Sequence, residues 1–440
     1  CVCGMHCSGP RRSLLLPIAI ALVAVEGFSP PPPPMLLLRR TLGASRSRRR
    51  TACFSSAELF DETFAVAPMM DYTDRSYRKM FRMLSKKAVL YTEMVAANSL
   101  VDAEGNYRHD DPDRWLGHDD AEGVTVLQLG GAVPEQLFHA AKLASTYDYA
   151  GINLNCGCPS ERVAGAGCFG AAMMRSPSLV AECCAAIAEG APDMAVSVKC
   201  RVGVVPRTRD LRRTPEELEV EYAELEDFVQ TVQRESGVKR FIVHARVAVM
   251  EGLSPHANRL VPPLRPELVS RLARSNDLSC IFNGEVNSLE NARDRLSLPE
   301  INGVMVGRDA CKRPWHYART DTMLCGSLTD PALSRRAVLM EYAEYAEARE
   351  EKAKLEGRKP RSMLLKPLLG LFHGETGSNA FKRQIDATQR DFSLSFGEVL
   401  ANAMEKVPDR VLDSPPSADD YDDAPGNQRF TVDAASTAQV

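Results

Sequence analysis

From about residue 58 onward, short β-branched runs alternate with helix-length stretches eight times over, and few folds accept such a pattern. The runs are Phe64–Met69, Val89–Met94, Val124–Leu129, Gly151–Asn155, Ala195–Lys199, Arg240–His244, Cys280–Asn283 and Gly303–Val306. Strands joined by helical crossovers pair in parallel, because the connection must return the chain to the same end of the sheet. Eight such units in order fit a (β/α)8 TIM barrel, whose strands all end on one face where site residues collect. The polar residues singled out below lie at the C-terminal ends of these runs. A doubly wound sheet has no reason to spread them over all eight.

The rest of the chain divides around that block. Arg207–Glu226 is highly charged and reads as a solvated insertion, a loop plus an amphipathic helix. Beyond Ser327 the β-runs stop. Pro331–Glu356 reads as a long helix with alternating charges, Arg361–Gly374 as a second with an apolar stripe, and Ala380–Lys406 as one or two more. From Asp409 on, Pro, Ser, Asp and Ala dominate with no apolar period, the composition of a disordered tail. The expected organisation is a leader over 1–57, a catalytic barrel over 58–326, a small all-α domain over 327–408 and a disordered acidic tail over 409–440.

The leader has two parts. Leu14–Val25 is an apolar run of 12 residues, preceded by Arg11 and Arg12 and followed by Phe28 and a run of five prolines. That is too short to span a membrane and suits a signal-peptide core. Leu36–Ser56, rich in Arg, Ser, Thr and Ala and free of acids, has the composition of a transit peptide. Together they resemble the bipartite leader of plastids acquired by secondary endosymbiosis, with a mitochondrial leader as the alternative. No membrane attachment of the mature chain and no obligate protein partner is expected.

Charge limits the partners. The 54 basic and 58 acidic residues give a net charge of −4 over the 440-residue chain. Eight of those Arg and only one acid, Glu26, fall within residues 1–50, so the remainder holds 46 basic against 57 acidic residues, net −11. Any nucleic-acid contact must come from a local basic patch rather than from a global field. The 13 Cys show neither a zinc-ligand spacing nor a disulfide framework, so no metal site is indicated and buried thiols in a reducing compartment are expected.

The segment Ile152–Val163, INLNCGCPSERV, carries the most chemistry. A buried strand ends in two Asn and breaks at a Gly-Cys-Pro turn, which Pro159 stiffens because it cannot extend a ladder. An isolated Cys reads as a small buried hydrophobe. At a strand end of a barrel Cys158 reads instead as functional, and with a reference pKa near ~8.5 a thiol in a neutral setting is a proton donor rather than a nucleophile. After strands seven and eight, Asn283-Gly284-Glu285 and Gly307-Arg308 occupy the position where such barrels bind phosphate. There glycine lets backbone amides approach, and Arg308 can bind bidentately.

INLNCGCPSERV stands with APMMDYTDRSYR (67–78), YTEM (91–94), LQLGG (127–131), VKCRVG (198–203), IVHAR (242–246), GLSPHANR (252–259) and GVMVGRDA (303–310). In that order they resemble the DusA branch of the tRNA-dihydrouridine synthases. The resemblance covers residues 64–325, and LLGLF (368–372) with NAFKR (379–383) extends it more weakly over the C-terminal helices.

The resemblance implies bound FMN, with Pro68, Met69 and Met70 beneath the flavin and Gln128 on its edge. Lys199 and His244 would lie at its N1–C2 side, where positive charge stabilises the anionic reduced ring. It implies that Asn155, His256 and Arg259 lie near the target uridine, and Lys382 and Arg383 against the tRNA backbone. NADPH would reduce FMN, hydride would pass to uracil C6, and Cys158 would protonate C5 of D-loop uridines at positions 20 and 20a. The base must leave its stack to reach the flavin.

This chain departs from the family pattern at Glu285, where a second Gly is usual; Glu285 can serve there if only its backbone amide is used, with the acid turned outward, and phosphate binding at this position depends on that. Tyr72 replaces the usual Trp, Ala164–Cys168 is one residue longer, and Cys156 takes an ordinarily apolar position. Two other readings are an FMN barrel oxidoreductase acting on a free pyrimidine or other small molecule and an inactive tRNA-binding module. The first predicts no helical extension and no GLSPHANR loop; the second predicts loss of Cys158 or Lys199. The sequence retains all four features.

Overall fold

A computed structural model describes residues 60–417, apart from 103, 119, 160–168 and 212. The leader over 1–57, the Ala164–Cys168 stretch and the tail beyond 417 lie outside the described residues. The strands are β1 (Phe64–Val66), β2 (Val89–Ala96), β3 (Thr125–Gly130), β4 (Gly151–Cys156), β5 (Ala195–Arg201), β6 (Val204–Arg207), β7 (Arg240–His244), β8 (Ala248–Glu251), β9 (Ser279–Asn283) and β10 (Gly303–Val306). Eight of them close a parallel barrel in the order β1-β10-β9-β7-β5-β4-β3-β2, the (β/α)8 arrangement expected from the alternation. β6 and β8 form a separate parallel pair, Val204 opposite Ala248, which the sequence did not signal.

Side-chain alternation splits the core into two. Ala65, Ala67, Val89, Tyr91, Val126, Ile242, Ile281 and Met305 fill the barrel, while the intervening residues join the larger core under the helices. At the barrel floor, Tyr91 donates to Glu62 at 2.6 Å and Arg240 pairs with Glu62 at 3.0 Å. The helices Pro134–Ala144, Pro177–Gly190, Pro215–Ser236 and Pro266–Ser275 all begin with proline, whose missing amide costs nothing in the first turn.

Arg207–Glu226 is not a solvated insertion. Thr214 and Glu217 form a capping box, Gly237 ends the helix at φ 75, and the Pro215–Ser236 helix buries Tyr222, Leu225, Phe228, Val229 and Val232. It is the helix connecting β5 to β7, and its charges, Glu221 apart, occupy the outward face. Buried Arg265 pairs with Glu221 at 2.8 Å, which is how a charged residue reaches the inward side.

The Arg335–Leu355 helix starts the extension and packs on the barrel helix Arg75–Leu84. The expected second helix is shorter. Arg361–Leu365 passes into a 3-10 turn over Lys366–Gly370, because Pro367 has no amide to continue the α ladder. Ser378–Thr388 and Phe396–Met404 are separate helices, and Phe372 stacks against Phe381 at 4.7 Å between them and the turn. The boundary at 409 needs correction. Asp409–Asp413 is helical, burying Val411 and Leu412, and Arg336 holds Asp409 and Asp413 at 2.6 Å each. A single turn of helix carries too few apolar residues to register as a period. Among the described residues no helix is long and apolar enough to cross a membrane.

Candidate active site

The inward residues nearest the C-terminal mouth are polar, whereas those between them and the Glu62–Arg240 pair at the floor are mostly apolar. Gln128 of β3 donates to Asn153 of β4 at 2.8 Å, Asn153 donates to Ser197 of β5 at 2.9 Å, and Asn155 donates to Gln128 at 3.1 Å. On the opposite arc Lys199 of β5 donates to Asn283 of β9 at 3.1 Å, and Asn283 donates to the Met305 carbonyl at 2.7 Å. Two-residue periodicity brings Lys199, Arg201, His244 and Asn283 to this layer.

Cys158 sits at the rim of this layer. Asn155 Oδ1 accepts from the amides of Gly157 and Cys158 at 3.0 and 3.1 Å, so the strand's last inward side chain shapes the turn that carries the thiol. Arg201 Nε donates to the Gly157 carbonyl at 2.9 Å and its Nη1 to Val247 and Asn258 at 3.0 and 2.9 Å, joining that turn to the loop of His256 and Arg259. Cys158 is half-buried and interacts electrostatically with Lys199, Arg201 and Arg259. Cys156, two residues away, points the other way. It is wholly buried, and burial beside Cys184, Cys200 and Cys183 pushes its thiol well above the usual range.

The cations crowd one another. Burial, aided by Arg201, brings the Lys199 ammonium down to about 8, and burial brings Arg201 down to about 10. His244 is driven well below the usual histidine range, first by burial and then by Arg201 and Lys199. It is therefore neutral near pH 7 and offers a hydrogen bond rather than the positive charge expected beside Lys199.

Pro68 and Met69 are half-buried where β1 leaves the barrel, and Met70 is exposed. Asn283-Gly284-Glu285 and Gly307-Arg308 follow the hydrogen-bonded neighbours β9 and β10. Gly284 has φ 126, Gly307 has open space where a Cβ would stand, and Arg308 is exposed beside them. Glu285 takes a left-handed φ of 52, the conformation that a second glycine would supply without strain, and its carboxylate is held by Arg246. Arg246 Nε remains buried without a hydrogen-bond partner. Open glycine backbone flanked by Arg308 and a buried guanidinium suits a dianionic phosphate, and the polar arc above an apolar barrel suits a flavin ring.

His256 is exposed and Arg259 half-buried on the loop after β8, with Arg259 Nε buried and unpartnered. Lys382 and Arg383 come from the C-terminal extension. They lie on the Ser378–Thr388 helix, where Lys382 shares the surroundings of His373 with Lys312 and Arg313. The sequence does not single out Arg201 or Arg246. Each stands two residues from a residue it does single out, on the same strand face or just past its end, and that periodicity could have found them.

Comparison with known proteins agrees with this architecture. The family described as Dihydrouridine synthase (Dus) matches residues 65–407. A protein of Pseudomonas aeruginosa named tRNA-dihydrouridine(20/20a) synthase is 41% identical over 321 residues, 73% of this chain and 88% of the relative. Its namesake in Shewanella oneidensis is 39% identical over 326 residues, 74% of this chain and 88% of that one. In Vibrio vulnificus the figures are 36% over 348 residues, 79% and 97%. With a family match over most of its length and relatives of this similarity aligned over nearly all of theirs, the chain belongs to the dihydrouridine synthase family.

Proposed function

We propose that this protein reduces the C5=C6 bond of D-loop uridines in tRNA, of the 20/20a class, to 5,6-dihydrouridine, using FMN as bound cofactor and NADPH as electron donor. The observation that carries the reading is the half-buried thiol of Cys158, fixed by Asn155 at the mouth and facing Lys199, Arg201 and Arg259. The names borne by the relatives support the substrate class.

In this reading Gly284, Glu285, Gly307 and Arg308 would hold the cofactor phosphate, with Asn283 beside them and Pro68, Met69, Met70, Gln128, Lys199 and His244 around the ring. FMN bound there supplies the hydride that enters at uracil C6. Cys158 gives its Sγ proton to C5 and is left as a thiolate beside Lys199, Arg201 and Arg259. Asn155, His256 and Arg259 orient the extruded uridine, and Lys382 and Arg383 meet the tRNA backbone from the extension. A free pyrimidine would need none of these extension residues. The leader over residues 1–57 would address the chain to a plastid, with the mitochondrion as the alternative.

The test is direct. The purified full chain should be yellow, release FMN on denaturation and form dihydrouridine in tRNA lacking that modification when NADPH is added. A colourless, folded preparation that cannot be reconstituted with FMN overturns the reading.

A further inference from the structure

The turn that follows β1 is closely tied by hydrogen bonds. The amides of Tyr72 and Thr73 both bond the Met69 carbonyl, at 3.1 and 3.0 Å, and Thr73 Oγ1 accepts from the Met69 amide at 3.0 Å. The Asp71 amide donates to the Glu93 carboxylate at 2.5 Å, and Asp71 is held at φ 65, a conformation uncommon for a residue with a side chain. The element so fixed presents an aromatic ring to water: Tyr72 is 53% exposed. Strain of this kind persists where the surroundings enforce it, and it gathers at ligand sites.

Two cations from separate parts of the fold interact with this residue. Lys366, at the start of the 3-10 turn of the extension, lies with Nζ 4.9 Å from the ring centroid and donates to the Asp71 carbonyl. Arg259, from the loop after β8, interacts electrostatically with the Tyr72 phenol, with the Cys158 thiol and with Arg308. The ring therefore stands on the outer rim of the same basic mouth that holds the thiol, on a chain whose overall charge is −4. A flat apolar face beside cations matches a nucleobase with its phosphate, since bases stack on aromatic rings regardless of identity while cations track the backbone.

Resting on the function proposed above, we propose that Tyr72 is a substrate-positioning residue whose ring stacks on the nucleotide flanking the extruded uridine, and that Lys366 couples this platform to the helical extension. The flanking nucleotide is the occupant because the target base must pass inward to the half-buried thiol, whereas Tyr72 stays at the rim. Lys366 gives the extension a second task besides contacting phosphates: it fixes the orientation of the ring on which the RNA rests.

Binding of unmodified tRNA and dihydrouridine formation, measured for the wild-type chain and for Tyr72→Leu, Tyr72→Trp and Lys366→Met, test this. Tyr72→Leu should weaken tRNA binding and raise KM for tRNA roughly 5- to 150-fold, the range for losing one base–aromatic stack, with kcat at saturating tRNA falling much less. Tyr72→Trp should bind at least as tightly as wild type, and Lys366→Met should weaken binding in the same direction as Tyr72→Leu. The RNA-free reduction of bound flavin by NADPH is the reference reaction. If Tyr72→Leu binds tRNA as wild type does, the inference is overturned; it is equally overturned if the flavin reduction slows while tRNA binding stays unchanged, since the ring would then serve the nicotinamide. A wild-type chain that binds tRNA in a Tyr72-dependent way yet forms no dihydrouridine supports the stacking role and overturns the enzymatic reading instead.

Discussion

Asn155 and Cys158 are joined by a hydrogen bond of 3.1 Å from the Cys158 amide to Asn155 Oδ1, which makes the strand's last inward side chain the support of the turn that follows. Asn155 also accepts from Gly157 at 3.0 Å, and its Nδ2 donates to Gln128 at 3.1 Å and to the Met94 sulfur at 3.2 Å. These four bonds tie the turn to β2 and β3. Asn155→Leu is therefore expected to keep bound FMN and lose most dihydrouridine formation, because the thiol loses its placement. Asn155→Asp, which still accepts from both amides, should retain more activity than Asn155→Leu. Equal activity of the two variants in a single-turnover assay would contradict this.

The two cysteines at the end of β4 should separate cleanly. Cys158→Ala should retain FMN and tRNA binding and lose roughly 10²–10⁴-fold in dihydrouridine formation, the usual worth of a positioned acid. Cys156 faces away from the mouth among Cys183, Cys184 and Cys200, with burial holding its thiol protonated, so Cys156→Ala should leave turnover almost unchanged. NADPH-driven flavin reduction without tRNA should survive both substitutions, since no uracil proton is involved. Loss of turnover in Cys156→Ala but not in Cys158→Ala would reverse the assignment.

Lys199 predicts a pH dependence of cofactor binding. Its ammonium is brought down to about 8 by burial and Arg201 in the cofactor-free protein. An anionic cofactor favours the protonated form and raises that value when bound, so affinity should be flat below pH 8 and weaken above it. The limiting slope is about tenfold per pH unit for one proton, until the raised value is reached. Titrating FMN fluorescence quenching of the apoprotein between pH 6.5 and 9.5 measures it, and Lys199→Met should remove the slope along with much of the affinity. His244, already neutral, should add none.

Arg361 and Glu350 form a buried bidentate pair in the extension, with contacts of 2.6 and 2.7 Å. Arg361 is 1% exposed and also donates to the Asp391 carbonyl at 2.9 Å. Glu350→Ala leaves that guanidinium uncompensated and should destabilise the protein by about 3–5 kcal/mol, read as a lower midpoint in chemical unfolding. Because the pair lies in the extension, tRNA binding should suffer before flavin content does. A double substitution, Glu350→Leu with Arg361→Met, should recover most of the stability.

The leader makes a prediction of its own. A fluorescent protein fused behind residues 5–60 should reach the plastid of a cell with secondary plastids, as the apolar core followed by an acid-free Arg/Ser-rich stretch implies. Mitochondrial fluorescence would select the alternative, and cytosolic fluorescence would remove both.

The amino-acid sequence by itself determined the eight barrel strands, their order and the strand ends on which Gln128, Cys158, Lys199, His244, Asn283 and Gly307 stand. β-branched runs punctuated by turn residues are a local signal, and a parallel closed barrel is the packing that buries every such run. It also determined the long helix at Arg335–Leu355, whose length and charge pattern need no tertiary contact to be read. Only the tertiary structure decided that Pro215–Ser236 is a packed barrel helix, since its charges dominate the composition while its apolar stripe matters only against a neighbour. It alone decided the fate of the two thiols, because one residue of strand geometry turns Cys156 into the core and the break at Gly157 turns Cys158 toward the mouth. The neutrality of His244 and the lowered ammonium of Lys199 arise first from burial and then from cations contributed by β5, by Arg246 just past β7 and by the loop after β8, segments up to 60 positions apart in the chain. Electrostatic coupling depends on distance through space and on dehydration, neither of which is written in the order of residues.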